Sequence, residues 1–365
     1  RRPRGRGVSV RDLVGSAEVI LCTGSGGVGK TTVAAVLAME GARQGRKTAV
    51  VTIDPAKRLA DALGLDGLTN EPGRIAGDWT GELYALMLDT KGTFDDLVNK
   101  YAETPDQAER ILENRFYKNI SSALSATQEF MAMEKLYELH VEADFDLVVV
   151  DTPPTRNALD FLDAPGTLTR FLDHPLYKVI MAPTRGFMRA ASIAAQAFLR
   201  TVSKVVGSEV IEDAIAFFQA FQGMEEGFRN RARHVDALLS DAVTHFVLVA
   251  SPRRDTLEEA AYFAEALADA DIAVSALIVN RMHPRFAPSL AEAARERADT
   301  LAGSAIGDHY ANLADFQLIA SREEDHLEAL VGKVADAEIV RVPFLRSDVH
   351  DLAGLEALAT YVVTG

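Results

Sequence analysis

The sequence predicts an α/β fold in which a mostly parallel sheet is flanked by helices. An apolar segment at 18–23, a helical segment at about 30–44 and a second apolar segment at 47–53 follow one another along the chain. This order is that of a βαβ unit, whose two strands lie parallel. The uninterrupted apolar run within 146–151 predicts a strand that is buried on both faces, as in parallel sheets covered by helices.

Other segments continue this pattern. Further strands are predicted at 82–88, 245–250, 276–280 and 339–343, and further helices at about 256–268 and 355–361. Two long stretches, at about 94–140 and 165–240, carry apolar residues at helical spacing. Because the predicted strands come from the whole chain, we expect one α/β domain at 18–365 with these two helical insertions, rather than two separate domains.

Residues 1–17 are expected to form an N-terminal arm. Within residues 1–7, four arginines lie among one proline and two glycines. This composition is typical of a disordered segment, and a tail that binds membranes or acidic partners is the alternative.

The composition excludes several classes of protein. The 38 Lys and Arg residues against 53 Asp and Glu residues give a net charge of −15, which argues against a general nucleic-acid-binding protein because phosphate backbones require a cationic face. Cys22 is the single cysteine, so one chain can form no disulfide, CxxC motif or cysteine-ligated zinc site. The sequence contains no long apolar run and no apolar signal core, and we therefore expect a cytoplasmic protein.

The segment GSGGVGKT at 24–31 matches the phosphate-loop pattern G-x-x-x-x-G-K-[ST]. Glycines let the backbone curve so that its N–H groups point at phosphate oxygens, and the helix that follows adds its positive N-terminal end. Lys30 would reach the β- and γ-phosphates, and the Thr31 hydroxyl would bind Mg²⁺. The predicted strand before the motif and helix after it supply the context that makes this match specific.

A dinucleotide-binding loop is the strongest competing interpretation. Gly24, Gly26 and Gly29 also satisfy G-x-G-x-x-G, and Asp54 ends the second strand, where that fold places an acid on the ribose. That fingerprint requires no Lys-Thr pair after its third glycine, and it leaves the region of Asp151 unexplained. The phosphate-loop interpretation is therefore favoured.

Two acids at predicted strand ends are candidates for the chemistry. Asp151 follows the Val-rich strand and would assist Mg²⁺ directly or through water; a loop acid capping a helix is the alternative. Asp54 could orient an attacking water, or it could cap the helix that contains Leu59 and Leu63.

The strand that ends at Asn280 bears on the choice of base. GTP-binding phosphate-loop proteins normally carry Asn-Lys-x-Asp at such a strand end, whereas residues 280–283 are Asn-Arg-Met-His. The missing acid favours adenine, although Asn280 could equally be a turn residue.

Taken together, the loop at 24–31, the segments at 54–56 and 151–155 and the strand end at Asn280 resemble the arsenite-pump ATPase and tail-anchored-protein targeting ATPase family. The order and spacing match from about residue 18 to 361. The resemblance implies a MinD-like phosphate-loop fold and a dimer that opens and closes with ATP.

The resemblance also implies residue roles. Asp54 would position the hydrolytic water, Asp151 would serve Mg²⁺ together with Thr31, Asn280 would contact adenine, and the segment 343–344 would pack against the base. The implied nucleotide-binding residues are Gly26, Gly27, Val28, Gly29, Lys30, Thr31, Thr32, Asn280, Arg281, Pro343 and Phe344.

The chain departs from the family pattern at Ser25, where the family usually carries a lysine that reaches the partner subunit's nucleotide. A neutral hydroxyl cannot replace a cation that offsets charge in the transition state. The absence of such a cation can lower the rate of hydrolysis by about 10³-fold or more. Nucleotide binding is therefore a safer expectation than fast hydrolysis. In this respect the chain resembles actinobacterial members, and we expect either a homodimer or a heterodimer with a related subunit that retains the lysine.

Other departures from the family pattern limit which roles of the family are expected in this chain. The second switch carries Arg156 within Thr-Arg-Asn at 155–157, where the family commonly has Thr-Gly-His. Cys22 alone can supply neither a zinc-linked dimer nor an arsenite triad. The apolar positions at 184–235 lie where the targeting branch binds a hydrophobic client helix, and ordinary core or dimer packing is the alternative.

Overall fold

The computed structural model describes residues 8–54, 58–120, 125–153, 208–286 and 291–364, together with the single positions 164, 166, 169–170 and 172–174. Its strands are β1 Val19–Gly24, β2 Lys47–Thr52, β3 Gly73–Ile75, β4 Glu82–Met87, β5 Leu147–Asp151, β6 Thr244–Ala250, β7 Val274–Met282 and β8 Glu338–Pro343.

The helices are numbered here in chain order over the same residues. They are α1 Val10–Ser16, α2 Lys30–Arg43, α3 Arg58–Leu63, α4 Thr90–Tyr101, α5 Pro105–Leu112, α6 Arg115–Ile120, α7 Ser125–Tyr137, α8 Ser208–Ala220, α9 Glu225–Leu239, α10 Arg254–Asp269, α11 Ala291–Thr300, α12 Ala305–Lys333 and α13 Leu352–Val362. A π-helical turn, Glu138–Glu142, follows α7 directly.

The eight strands form one sheet in the order β3-β4-β2-β5-β1-β6-β7-β8. All neighbours run parallel except the edge pair β3 and β4. Strand β1 is central, with Cys22 opposite Asp151 on one side and Val247 on the other. The mostly parallel α/β fold predicted from the sequence is confirmed.

The sheet is buried because its central strands are apolar on both faces. All residues of β1 and β5 are buried. Helix α2 is buried along most of its length, including Val33, Leu37 and Met39. Gly45, at a φ of 86°, ends the turn after α2 and lets the chain enter β2. This βαβ unit places the loop at 24–29 at the carboxyl edge of the sheet, where open α/β sheets bind ligands.

The chain forms two compact contact units. The first comprises the described residues within Arg1–Met87, Phe145–Leu159 and Ala242–Gly365, and it contains the whole sheet. The second comprises those within Leu88–Asp144 and Asp160–Asp241, and it is helical. Much of the predicted insertion at 165–240, including Phe187, Met188 and Phe198, lies outside the described residues.

Several elements differ from the sequence expectation. The expected arm at 1–17 contains helix α1, whose Val10, Leu13 and Val14 are buried in the core of the first unit. The short strand β3 and the 29-residue helix α12 were not predicted. The helical stretch at 94–140 is divided into α4 to α7, with Thr104 capping α5 and Pro105 at its first position. Within the described part of the chain, no helix is long and apolar enough to cross a bilayer.

Candidate nucleotide-binding site

The loop between β1 and α2 depends on glycine at both ends. Gly24 has a φ of 151°, and a Cβ there would lie 2.0 Å from the Val249 carbonyl oxygen. Gly29 is the N-cap of α2 in the left-handed conformation, and a Cβ there would lie 2.4 Å from Asn280 Nδ2. No side chain with a Cβ fits either position without moving its neighbours.

The middle of the loop is open instead of crowded. A Cβ built on Gly26 or Gly27 has no neighbouring atom within 4 Å in the described part of the chain, and Gly27 has a φ of 78°. Among the residues that the structure describes, no side chain caps the first amides of α2. The loop therefore leaves room for an anion beside unpaired backbone donors at a helix N-terminus.

Lys30 is buried at the base of this loop. Its side-chain Nζ donates a hydrogen bond to the Ser25 carbonyl oxygen at 2.9 Å, and the residue is 8% exposed. Burial lowers the pKa of Lys30, and the nearby Asp151 carboxylate opposes that shift. A desolvated cation of this kind interacts strongly with phosphate oxygens.

Asp151 lies at the end of β5, where its side chain is bonded both to Thr31, at the end of the phosphate loop, and to Thr52 of β2. Its Oδ2 accepts hydrogen bonds from Thr31 Oγ1 at 2.7 Å and from Thr52 Oγ1 at 2.9 Å. Burial raises the pKa of Asp151, outweighing these two bonds and the attraction of Lys30. The other oxygen, Oδ1, is buried without a hydrogen-bond partner among the described residues. An unsatisfied carboxylate oxygen beside the Thr31 hydroxyl fits a Mg²⁺ site, directly or through water.

Asp54 follows β2 and is paired with Arg58 of α3, whose Nη1 lies 3.6 Å from Asp54 Oδ2. Asp54 and Arg58 both act electrostatically on the pKa of Lys30, so this pair belongs to the same charged neighbourhood. Thr32 lies in the first turn of α2 and is partly exposed. The adjoining Pro55 and Ala56 lie outside the described residues, as do the switch residues at 155–157.

The end of β7 contacts the loop directly. Asn280 Nδ2 donates to the Val28 carbonyl oxygen at 2.9 Å, and Arg281 Nη1 donates to the Gly27 carbonyl oxygen at 3.1 Å. Arg281 has a φ of 65°, which is unusual for a residue with a side chain. Asn280 and Arg281, which the sequence places among the nucleotide-binding residues, thus also support the phosphate loop. These contacts join residues 252 and 254 positions apart, so the spacing of motifs could not reveal them.

Pro343 and Phe344 lie beside the end of β7. Pro343 is paired with Met282 in the β7–β8 register, and the Phe344 amide donates to the Met282 carbonyl oxygen at 2.8 Å. The Phe344 side chain is 60% exposed. The structure therefore brings this segment and Asn280 to one edge of the sheet.

Ser25 has a partner that the sequence did not indicate. Its Oγ donates to Glu259 Oε2 of α10 at 2.6 Å, and Ser25 is buried. The position that carries a lysine in the family pattern is thus bonded to an acid within the same chain. Cys22, also buried, lies in β1, and its carbonyl accepts a hydrogen bond from Thr152 Oγ1 at 2.9 Å.

A glycine loop at a helix N-terminus, a buried lysine and a threonine–aspartate pair at the carboxyl edge of a parallel sheet define a phosphate-loop nucleotide-binding protein. The anion-transporting ATPase family model matches residues 17–324. The chain belongs to this family.

Individual relatives agree with this assignment. An ATPase GET3 of Malassezia globosa is 30% identical over 159 residues, which is 43% of this chain and 45% of the relative. An ATPase GET3A of Arabidopsis thaliana is 26% identical over 272 residues, 73% of this chain and 67% of the relative. An arsenical pump-driving ATPase of Acidiphilium multivorum is 26% identical over 270 residues, 72% of this chain and 39% of the relative. The match thus spans under half of the first of these proteins and of the third.

Proposed function

We propose that this protein binds Mg²⁺-ATP and hydrolyses its terminal phosphoanhydride, and that nucleotide drives a dimer between two states. One observation carries the proposal. Lys30, Thr31 and the unsatisfied oxygen of Asp151 lie together next to a loop whose middle glycines leave open space. Buried polar groups without partners are costly, so such an arrangement is best explained by a ligand that completes it.

The proposed roles follow from the positions of the side chains. Backbone amides from Gly26 to Gly29 and the Lys30 ammonium would bind phosphate oxygens. Thr31 and Asp151 would hold Mg²⁺, which when bound supplies positive charge that offsets charge on the phosphates. Asp54 would orient the attacking water, a role that its pairing with Arg58 would tune.

The remaining candidates would contribute to binding of the nucleotide. Thr32, next to Thr31 in the first turn of α2, would help to bind the phosphate end of the nucleotide. Asn280, Arg281, Pro343 and Phe344 at the ends of β7 and β8 would surround an adenine base.

We propose further that the switch acts on a partner protein or hydrophobic client. The name of one relative, arsenical pump-driving ATPase, supports coupling to a second protein. Activation by a metalloid is disfavoured, because the chain's only cysteine is buried in β1 and burial raises the pKa of its thiol.

A second candidate is a subunit of a heteromeric complex that holds nucleotide and turns it over slowly. The bond between Ser25 and Glu259 favours it, because the hydroxyl is engaged within its own chain and adds no cation. A lysine-bearing paralogue would then supply the missing charge across the interface.

The proposal is tested with the purified chain and a fluorescent ATP analogue in Mg²⁺. Lys30→Ala is expected to weaken nucleotide binding by about 100-fold or more, since the buried ammonium group that binds the phosphate oxygens is lost. Asp54→Asn should retain binding but stop phosphate release, so that ATP and not ADP is recovered from the protein. Lys333→Ala, at an exposed lysine of α12, is the matched control.

The two candidates are separated by the turnover of the unmodified chain. A single-protein rate on the order of 1 s⁻¹ would rule out the slow-subunit candidate. Unchanged nucleotide content in Asp54→Asn would count against hydrolysis. Undiminished binding by Lys30→Ala would overturn the proposed site itself.

A further inference from the structure

His283 follows the end of β7 and lies among exposed aromatic side chains. Its ring centroid is 6.2 Å from that of Phe344 and 6.3 Å from that of Phe316. These two phenylalanines are 60% and 43% exposed. Exposed aromatic side chains gathered in one patch commonly mark a binding surface.

This patch adjoins the end of β7, and that strand end contacts the phosphate loop. Asn280 and Arg281, three and two positions before His283, donate hydrogen bonds to carbonyl oxygens of the loop. A nucleotide with its phosphates in that loop would have its base directed along the carboxyl edge of the sheet, where ligands of such folds lie. Flat aromatic rings at this edge suit a purine face.

Glu323 of α12 holds His283 by two hydrogen bonds. The His283 backbone amide donates to Glu323 Oε2 at 2.8 Å, and Nδ1 of the ring is 2.7 Å from Oε1. An ionised carboxylate only accepts hydrogen bonds, so Nδ1 must carry the proton. In the neutral imidazole this leaves Nε2 as an acceptor. That nitrogen has no partner among the described residues.

An acceptor at this place distinguishes between purines. Adenine carries a 6-amino group, which donates, whereas hypoxanthine and guanine carry a 6-oxo group, which accepts. A fixed acceptor facing position 6 would accept a hydrogen bond from the amino group of adenine. With a 6-oxopurine, the same acceptor would face the oxo oxygen, and no hydrogen bond could form. Sites built on a directed hydrogen bond reject analogues that cannot complete it.

We propose that His283 is a specificity-determining residue that accepts a hydrogen bond from the 6-amino group of the bound purine, and that Glu323 is a positioning residue that sets its tautomer. This inference rests on the proposed nucleotide site and names the group that selects its base.

The first test compares ATP with ITP, which differ at the 6 position and carry the same phosphates and ribose. Dissociation constants are measured by calorimetry for the full chain in Mg²⁺. His283→Ala should weaken ATP binding by about tenfold, the equivalent of one hydrogen bond, and should leave ITP binding unchanged or strengthen it, because the acceptor that opposes the 6-oxo group is removed. His309→Ala, at an exposed histidine near the start of α12, should alter neither constant.

Glu323→Gln gives a sharper test, because the side-chain amide has only one acceptor oxygen. The backbone amide of His283 is always a donor, so it takes that oxygen, and the NH₂ group then faces Nδ1. Nδ1 must become the acceptor and Nε2 the donor, which suits a 6-oxo group. We expect the ATP-to-ITP preference to fall about tenfold or to reverse. Glu324→Gln, which loses a surface pair with Arg341, should leave the preference unchanged.

The outcomes separate this inference from the proposed function. Equal loss of ATP and ITP binding in His283→Ala, or an unaltered preference in Glu323→Gln with the fold intact by circular dichroism, would overturn the role of His283 while nucleotide binding stands. Failure of the unmodified chain to bind either nucleotide would overturn both.

Discussion

At the scale of single residues, the phosphate loop contains glycines of two kinds. Gly24 is required by the fold, since its φ of 151° and the nearby Val249 carbonyl leave no room for a Cβ. Gly26 meets no atom within 4 Å and has no positive φ, so the fold itself does not require glycine there. A ligand that approaches the backbone closely is the remaining reason for a glycine at this position.

This difference predicts opposite effects for two alanine substitutions. Gly26→Ala should leave the melting temperature within about 1 °C of the unmodified chain, since surface changes of this kind alter stability little, and should weaken ATP binding by about tenfold or more through its methyl group. Gly24→Ala should destabilise the fold by about 3 kcal/mol or more, because the backbone must move. Thermal unfolding and nucleotide titration measure the two effects. Normal ATP binding by Gly26→Ala would contradict the proposed phosphate position.

Asp151 shows a related conflict between folding and function. Its pKa is raised because burial disfavours the ionised form, although Thr31 and Thr52 both donate to it. A buried carboxylate with one unsatisfied oxygen weakens the ligand-free protein. Such local violations of folding rules are typical of functional sites.

At the scale of elements, helices α7 and α9 of the second unit are joined by a buried charge network. Arg231 of α9 contacts Glu134 of α7, donates to Glu142 of the π-helical turn at 2.8 Å and lies 4.1 Å from the Tyr137 ring centroid. Arg231 and Glu134 are 5% and 1% exposed at their side chains. Burial raises the pKa of Glu134 to about 7, despite the attraction of Arg231.

The raised pKa predicts how stability depends on pH. Between the ordinary pKa of a glutamate and about 7, folded Glu134 holds a proton that the unfolded chain releases, so its contribution to stability falls as pH rises through this window. Glu134→Gln should remove this dependence, and its melting temperature should exceed that of the unmodified chain by about 2–4 °C at pH 8 but not at pH 5. Glu113→Gln, at an exposed pair with Lys118, is the control. An identical difference at both pH values would contradict the prediction.

Removing the arginine should lower the stability of the fold, the opposite of the effect expected for Glu134→Gln at pH 8. Arg231→Met leaves Glu134 and Glu142 without their shared cation, and breaking one side of a buried pair costs about 3–5 kcal/mol. The same unfolding series tests it. A variant as stable as the unmodified chain at pH 8 would show that the network contributes little.

At the scale of the whole molecule, the family match over 17–324 includes residues of both contact units. The phosphate-loop site lies entirely in the first unit, and the charge network lies entirely in the second. What the molecule lacks is the cation that the family pattern places at position 25. Ser25 is bonded to Glu259 instead, so we expect full turnover to need a partner subunit.

Restoring the cation tests that expectation. Ser25→Lys, combined with Glu259→Gln so that the lysine is not held within its own chain, should raise turnover by about tenfold or more. If the lysine acts across a dimer, the specific rate should rise with protein concentration. Ser25→Ala, which loses the bond to Glu259 without adding charge, is the control. A gain independent of concentration would contradict action across a dimer.

The predictable part of this structure is local in sequence. The loop at 24–31 follows a buried strand and begins a helix, and that order identified the βαβ unit. The family resemblance needed this loop together with the segments at 54–56 and 151–155 and the strand end at Asn280. The run at 146–151 predicted β5 because uninterrupted apolar residues indicate a strand covered on both faces. The helix α1 was missed because the basic and glycine-rich residues before it resemble a disordered tail, and β3 because three residues carry no period.

The sequence by itself therefore determined the fold class and the residues of the proposed phosphate and metal site, since these depend on hydrophobic periodicity and on a motif whose members are close together in the chain. Only the tertiary structure decided which distant residues meet them. Asn280 and Arg281 support the loop, Glu259 binds Ser25, and Glu323 sets the orientation of His283. The reason is physical: a parallel sheet brings the carboxyl ends of its strands to one edge, and the helices between them place side chains across hundreds of positions in hydrogen-bond contact.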